Sequence, residues 1–143
     1  MNKTREQLSK EADSLAKTTV DCAYKLHRET GPGLLESVYE VVLAKMLSDL
    51  GITVERQVSV PIKLMGATFQ EGFRADLLLN KALLIELKSV DTLQPIHCKQ
   101  TLTYLKLLDL PLGLLINFGA PTIKQGITRI ANRHIESPPT LQQ

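Results

Sequence analysis

The sequence is poor in residues that hold small folds together covalently or through metals. Among its 143 residues there are two Cys, three His and no Trp. Cys22 and Cys98 are too few for a disulfide framework, and with the scattered His residues they match no zinc-type spacing such as C-x-x-C. We therefore expect two reduced thiols.

Long apolar runs and a strong charge are missing too. No apolar stretch approaches the roughly 18 residues needed to cross a bilayer, and the polar N-terminal segment lacks the apolar centre of a secretory signal. We expect a cytoplasmic protein with no membrane partner. The net charge of +2 and the pI near 8.6 are compatible with nucleic-acid binding but do not argue for it unaided.

The chain has the organisation of one domain. Its length suits a single core, and it contains no internal repeat, low-complexity tract or interior linker. The last residues, Ser-Pro-Pro-Thr-Leu-Gln-Gln, are typical of a flexible tail. The predicted division is one domain over residues 1–136 and a tail over residues 137–143.

Two amphipathic helices are predicted first. Thr4 and Gln7 have the spacing of a capping box, and apolar residues then recur at helical spacing up to the break at Gly31-Pro32-Gly33. A second helix should end at Gly51, which suits a left-handed C-terminal cap. Its apolar positions are Leu35, Val38, Val42, Leu43, Met46, Leu47 and Leu50.

A sheet is predicted to follow. Alternating apolar and polar residues from Ile52 to Leu64 predict a half-exposed strand, with Pro61 marking an edge or a bulge. Two more apolar segments, Ala67 to Leu79 and Ala82 to Lys88, suit strands nearer the middle of the sheet. With a helix after Pro95 and further strands, the predicted order is α-α-β-β-β-β-α-β-β. This is an α/β or α+β fold with a mixed sheet covered by helices.

The apolar hairpin ADLLLNKALLIELK contains charged residues that need an explanation. Side chains alternate along a strand, so Glu86 and Lys88 share one face. Asp76 joins them only in one register. A two-residue turn at residues 80–81 would set Asp76 opposite Ile85, whereas a three-residue turn that includes Ala82 would set it opposite Glu86. We predict the three-residue or bulged turn.

Two converging carboxylates repel each other, and burying them costs several kcal/mol unless a positive group lies between them. Mg²⁺ or Mn²⁺ would suit Asp76, Glu86 and a carbonyl such as that of Leu87. Lys88 could then hold or deprotonate a metal-bound water, or stabilise the charge that develops on a phosphate. Alternatively, these charges are solvated, which such a motif alone would favour. The apolar residues on both faces of the hairpin argue that it is covered.

Together with its surroundings, this spacing resembles the PD-(D/E)XK nuclease superfamily, and within it the GxxExxY proteins. The name-giving motif is present as Gly33-Leu34-Leu35-Glu36-Ser37-Val38-Tyr39. The other matching blocks are Arg74-Ala75-Asp76-Leu77, Ile85-Glu86-Leu87-Lys88, Pro95-Ile96-His97, Gln100 with Tyr104, and Leu114-Leu115-Ile116-Asn117-Phe118-Gly119. The resemblance implies a restriction-endonuclease-like core, in which helices flank a mixed central sheet.

By resemblance, Asp76 and Glu86 are the metal ligands and Lys88 positions the attacking water. Glu36 is the helical acid, as a further ligand or one that acts through water. Read without the family, Glu36 is a solvated first-turn acid that favours the helix dipole. All four residues are expected to be catalytic.

Gln100 and Tyr104 lie one helical turn apart, and His97 lies on the same face. They resemble the Q-x-x-x-Y element of superfamily nucleases, which supports the site or touches substrate. A helix face that packs against the sheet edge would explain them equally well.

The leading hypothesis is a Mg²⁺- or Mn²⁺-dependent nuclease that hydrolyses DNA or RNA. The alternative is a catalytically silent nuclease fold that binds nucleic acid or protein, since the sequence offers no strongly basic face and few aromatic residues. A structural scaffold with solvated charges is the third reading. A homodimer is a further expectation, because a small nuclease core often needs a second copy to hold a duplex.

Overall fold

The structure, a computed structural model, describes residues 2–137 and contains nine helices and strands in that range. Of the predicted tail, residues 138–143 lie outside the described residues. No helix in the described range is both long and apolar enough to cross a membrane. The elements are α1 Arg5–Thr30, α2 Glu36–Asp49, β1 Val54–Leu64, β2 Ala67–Leu79, β3 Leu83–Lys88, α3 Pro95–Leu108, β4 Leu112–Asn117, α4 Ile123–Gly126 and β5 Ile127–Ala131.

The five strands form one mixed sheet in the order β1-β2-β3-β4-β5. Strands β3 and β4 are parallel, and the other neighbours are antiparallel. Residues of α1 and α2 join a large core on one face, while Leu105 of α3 belongs to a smaller core on the other. The predicted α+β class, with helices flanking a mixed sheet, is therefore confirmed.

The element order differs from the predicted string in two places. Three strands rather than four lie between α2 and α3. As predicted for residues 52–64, β1 is one strand, and it contains a register shift between Val60 and Ile62. That shift accommodates Pro61 on an edge strand, as the sequence predicted. The added element is α4, a single turn whose Thr122 side chain accepts the N–H of Gln125; it is too short to leave a helical period in the sequence.

The predicted limits of the first two helices are confirmed by their caps. Thr4 and Gln7 exchange hydrogen bonds at the start of α1, with the Gln7 N–H donating to the Thr4 hydroxyl. Gly31 ends α1 with φ 66°, and Gly51 follows α2 with φ 86°. Both glycines adopt the positive φ that other residues disfavour.

The buried face of α2 differs from the predicted one. Leu35, Val38 and Val42 are exposed, and Leu35 keeps 74% of its surface. The buried residues of α2 are Tyr39, Glu40, Leu43, Ala44 and Leu47. Tyr39 sets this rotation, since its ring stacks on Phe118 at 4.3 Å and its hydroxyl donates to the carbonyl of Gly31 at 2.6 Å.

The β2–β3 hairpin has the register that places the two predicted acids together. Asn80 and Lys81 both have positive φ, and the Ala82 N–H donates to the carbonyl of Leu79 at 2.9 Å. Leu79 then pairs with Leu83, so Ala82 belongs to the loop. The loop therefore has the predicted three residues, and the same register sets Asp76 opposite Glu86.

We predict that Tyr39→Phe lowers the free energy of unfolding by about 1 kcal/mol, because the part-buried carbonyl of Gly31 loses the Tyr39 hydroxyl and keeps the Thr30 hydroxyl as a donor, while the aromatic stack is kept. Urea unfolding at equilibrium measures this change. Tyr24→Phe is the matched control, since Tyr24 is 53% exposed on α1. Equal losses in both variants would contradict the role assigned to the Tyr39 hydroxyl.

Candidate active site

Strands β2 and β3 separate beyond the Leu77–Ile85 pair, and the two acids occupy the gap. The Asp76 N–H donates to Oε1 of Glu86 at 3.1 Å, and the Leu87 N–H donates to Oδ2 of Asp76 at 2.8 Å. Side-chain oxygens thus accept the hydrogen bonds that backbone carbonyls would accept in a regular antiparallel ladder. Each strand fixes the carboxylate of the other, which holds both groups at the point of divergence.

Glu86 lies in an unfavourable environment for a charged carboxylate. It is 6% exposed, and its pKa is raised from 4.5 to about 9 by burial and then by the neighbouring charge of Asp76. Lys88 opposes this shift, yet no salt bridge within residues 2–137 includes Asp76 or Glu86. In the metal-free protein the pair is therefore stabilised by a proton on Glu86 at neutral pH.

Lys88 and Glu36 lie at the same site. Burial raises the pKa of Glu36, the charge of Lys88 opposes the shift, and the charges of Asp76 and Glu40 add to it. Glu36 is the first residue of α2 and is exposed. The start of α2 therefore brings an accessible acid into electrostatic range of Lys88 and Asp76.

A side chain of β4 holds the chain immediately after Lys88. Asn117 pairs with Lys88 in the sheet, accepts the N–H of Val90 at 3.0 Å and donates to the carbonyl of Val90 at 2.8 Å. Asn117 is 2% exposed. This pair of hydrogen bonds fixes the end of β3 and so restricts where the backbone of Lys88 can lie.

A pocket of about 520 Å³ opens beside the acids. It is lined by Leu35, Glu36, Ser37, Glu40, Arg56, Gln57 and Asp76. Two of the predicted site residues, Glu36 and Asp76, thus face one concave surface. The same pocket contains Glu40, Arg56 and Gln57, which the sequence analysis did not single out.

These three additional residues form one hydrogen-bonded network. Arg56 donates to Oε2 of Glu40 from Nη2 at 2.9 Å and from Nε at 3.3 Å. Gln57 Nε2 donates to Oε1 of Glu40 at 2.5 Å and to Oδ1 of Asp76 at 3.3 Å. Glu40 was the one residue with a usable sequence signal, because it lies one helical turn after Glu36.

The residues predicted on α3 divide into two groups. Tyr104 is half-buried, its ring stacks on Phe73 at 3.7 Å, and burial followed by the charges of Glu86 and Asp76 raises its pKa. The phenol therefore lies within electrostatic range of the two acids.

His97 and Gln100 make no hydrogen bond to the two acids within residues 2–137. Nδ1 of His97 accepts the N–H of Gln94 at 2.9 Å, which caps α3. Gln100 is exposed, and no hydrogen bond in the described part of the chain joins it to the acids.

The donor atoms at this site suit a hard divalent cation. No group of three or more His, Cys, Asp or Glu residues between positions 2 and 137 is arranged to hold a metal. Asp76 and Glu86 nevertheless offer two carboxylates, and the Lys88 carbonyl turns away to the Phe118 N–H. Since backbone directions alternate along a strand, the Leu87 carbonyl points to the side of β3 that faces β2. Mg²⁺ and Mn²⁺ accept few carboxylates and retain waters, so this oxygen-only set fits them.

Comparison with known proteins identifies the family. The family model described as the PD-(D/E)XK nuclease superfamily matches residues 13–130. The chain belongs to the PD-(D/E)XK nuclease superfamily. A solved structure, the crystal structure of SSO0001, is 21% identical with a TM-score of 0.49, over 70% of this chain and 50% of that chain. This chain thus spans about half the length of that one. No curated protein gave a significant match.

For this PD-(D/E)XK protein we predict a stability that falls as pH rises through the titration range of Glu86. The folded state raises the pKa of Glu86 from 4.5 to about 9, so folding favours the proton. The proton on Glu86 stabilises the folded state fully below about pH 4.5, and this contribution is lost as the pH approaches about 9. The measurement is urea unfolding at a series of pH values with EDTA present.

Glu86→Gln is the test variant, because its amide resembles the neutral acid. The metal-free variant should lose less stability than the wild type across that pH range. Glu71→Gln, which changes an exposed acid on β2, serves as the control and should follow the wild type. Parallel pH profiles for the wild type and Glu86→Gln would show that Glu86 carries no perturbed proton.

Proposed function

We propose that this chain is a divalent-metal-dependent nuclease that hydrolyses phosphodiester bonds of DNA or RNA. The observation that carries the proposal is the pairing of Asp76 with buried Glu86 where β2 and β3 separate. The fold buries Glu86 beside the half-buried Asp76, and neither acid has a salt bridge within residues 2–137, so a cation would stabilise this site. Because the chain belongs to a nuclease superfamily, such a cation would serve in the hydrolysis of phosphodiester bonds.

The metal would be Mg²⁺ or Mn²⁺, with Asp76, Glu86 and the Leu87 carbonyl as ligands. When bound, such an ion polarises a phosphate oxygen and makes water a stronger nucleophile. The proton on Glu86 would leave as the ion binds, because a ligating carboxylate must be ionised. Metal affinity should consequently increase with pH.

Lys88 and Glu36 would be the other catalytic groups. Lys88 shares the strand face of Glu86, and its ammonium can orient the attacking water or stabilise the charge that develops on the phosphate. Glu36 borders the same pocket, where it would be a further ligand or bind the ion through water. Its position at the first turn of α2 also places it favourably in the helix dipole.

Helix α3 would support the site and contact substrate. Tyr104 is the best supported of its residues, since the charges of Asp76 and Glu86 act on its phenol. Gln100 lies one helical turn earlier on an exposed face that nucleic acid can reach. His97 would contact substrate through Nε2, because its Nδ1 already accepts the Gln94 N–H at the start of α3.

Two finer assignments belong to the same proposal. Membership of the GxxExxY group is supported by the segment from Gly33 to Tyr39, in which Gly33 has φ 115°, Glu36 starts α2 and Tyr39 is buried. A homodimer would let a domain of this size hold a duplex, and we include it as a second proposed partner beside nucleic acid.

We predict that Asp76→Ala and Glu86→Ala abolish Mn²⁺ binding in calorimetry and cleavage of mixed single- and double-stranded substrates. Lys88→Ala should keep the metal but lower the cleavage rate by about 100-fold or more, because it removes a group that acts on the water or phosphate. Wild-type rates should require Mg²⁺ or Mn²⁺.

The controls change exposed charges elsewhere on the same hairpin. Lys81→Ala alters the β2–β3 turn and Glu71→Ala alters an outer part of β2; both should retain metal and activity. Equal cleavage by wild type, Glu86→Ala and Lys88→Ala would refute the proposal. Absence of both cleavage and Asp76-dependent metal binding would instead favour the silent binding module.

A further inference from the structure

Gln57 adopts a backbone conformation that its residue type disfavours. It lies in β1 with φ 51°, between the Arg56–Leu77 and Val58–Ala75 pairs. Positive φ is uncommon outside glycine and is seldom kept without a compensating interaction. The strained residue lies opposite Asp76 in this register, at the position where β2 leaves β3.

The side chain of Gln57 supplies that compensation by connecting two acids. Its Nε2 lies 2.5 Å from Oε1 of Glu40 and 3.3 Å from Oδ1 of Asp76. Carboxylate oxygens accept hydrogen bonds, so the amide nitrogen, which has two hydrogens, must face both of them. The orientation of the amide is therefore determined by its neighbours.

Glu40 provides a fixed anchor for this amide. It is 5% exposed, and Arg56 donates twice to its other oxygen, Oε2. The guanidinium compensates the buried negative charge and restricts the carboxylate at the same time. Gln57 is consequently held by a residue of α2.

We propose that Gln57 is a positioning residue, anchored by Glu40, that orients the Asp76 carboxylate towards the divalent cation. The inference rests on the proposed function. Leu87 donates to Oδ2 of Asp76 and Gln57 donates to Oδ1, so both oxygens have a fixed donor. Each oxygen keeps a second lone pair for a cation. Hydrogen bonds of this kind to ligating carboxylates commonly change metal affinity by about 10–100-fold.

The main test is Gln57→Gly. Glycine accepts positive φ, so the backbone can keep its course while the amide donor is lost. We expect the Mn²⁺ dissociation constant, measured by calorimetry, to rise about 10-fold or more, while the urea midpoint of the metal-free protein changes little. Gln57→Asn should give the same result, because Asn tolerates positive φ but its shorter side chain cannot span both acids.

Met65→Gly is the matched control. Met65 also has positive φ, at 50°, but it is 97% exposed in the β1–β2 turn. The substitution relieves the same kind of backbone strain away from the pocket, so the Mn²⁺ affinity should equal that of the wild type. Asp76→Ala gives the Mn²⁺ affinity that remains when the proposed metal site is removed.

The outcomes separate this inference from the proposed function. Wild-type affinity in both Gln57 variants, together with its loss in Asp76→Ala, would overturn the positioning role and leave the metal site intact. No Asp76-dependent affinity in the wild type would overturn the proposed function and this inference with it. If both variants lost affinity only in proportion to a large loss of stability, Gln57 would serve the fold alone.

Discussion

The divergence of β2 from β3 is the constraint on which the rest of the site depends. Up to the Leu77–Ile85 pair the strands form an ordinary ladder; beyond it, backbone groups of Asp76 and Leu87 turn to side-chain oxygens. Only the register with Ala82 in the loop brings Asp76 opposite Glu86 at that point. A one-residue slip would move every side chain of the strand to the other face of the sheet. Burial of the apolar hairpin residues therefore also fixes the positions of Asp76 and Glu86.

The two cores explain why the site differs from a solvated ion cluster. Along β3, Leu83, Ile85 and Leu87 join the core under α1 and α2, while Leu84 joins the core under α3. Glu86 is thus enclosed by strands packed on both faces, and desolvation is the largest cause of its raised pKa. The packing that stabilises the sheet also removes water from the Glu86 carboxyl. The folded state is therefore more stable when Glu86 is protonated or bound to a cation.

Local patterns were sufficient to predict most of the fold and the register that brings Asp76 opposite Glu86. Alternation, turn residues and caps identified the hairpin, the edge strand with its bulge at Pro61 and the ends of α1. The buried face of α2 escaped prediction because contact with distant Phe118 fixes the rotation of Tyr39. Gln57 escaped as well: its positive φ follows from tertiary hydrogen bonds, and a polar residue in an edge strand gives no sign of them.

Glu36 and Glu40 lie one turn apart on α2, and their different burial gives the two glutamates different roles. Glu40 is buried, and its oxygens are occupied by Arg56 and Gln57. Glu36 is exposed at the helix start and lies within electrostatic range of Lys88. Glu40 is 5% exposed and already accepts hydrogen bonds from Arg56 and Gln57, so it can anchor these neighbours but offers an incoming ligand little access. Of the two, Glu36 is therefore the acid available to an incoming cation or substrate, and Glu40 the one that keeps the pocket wall in place.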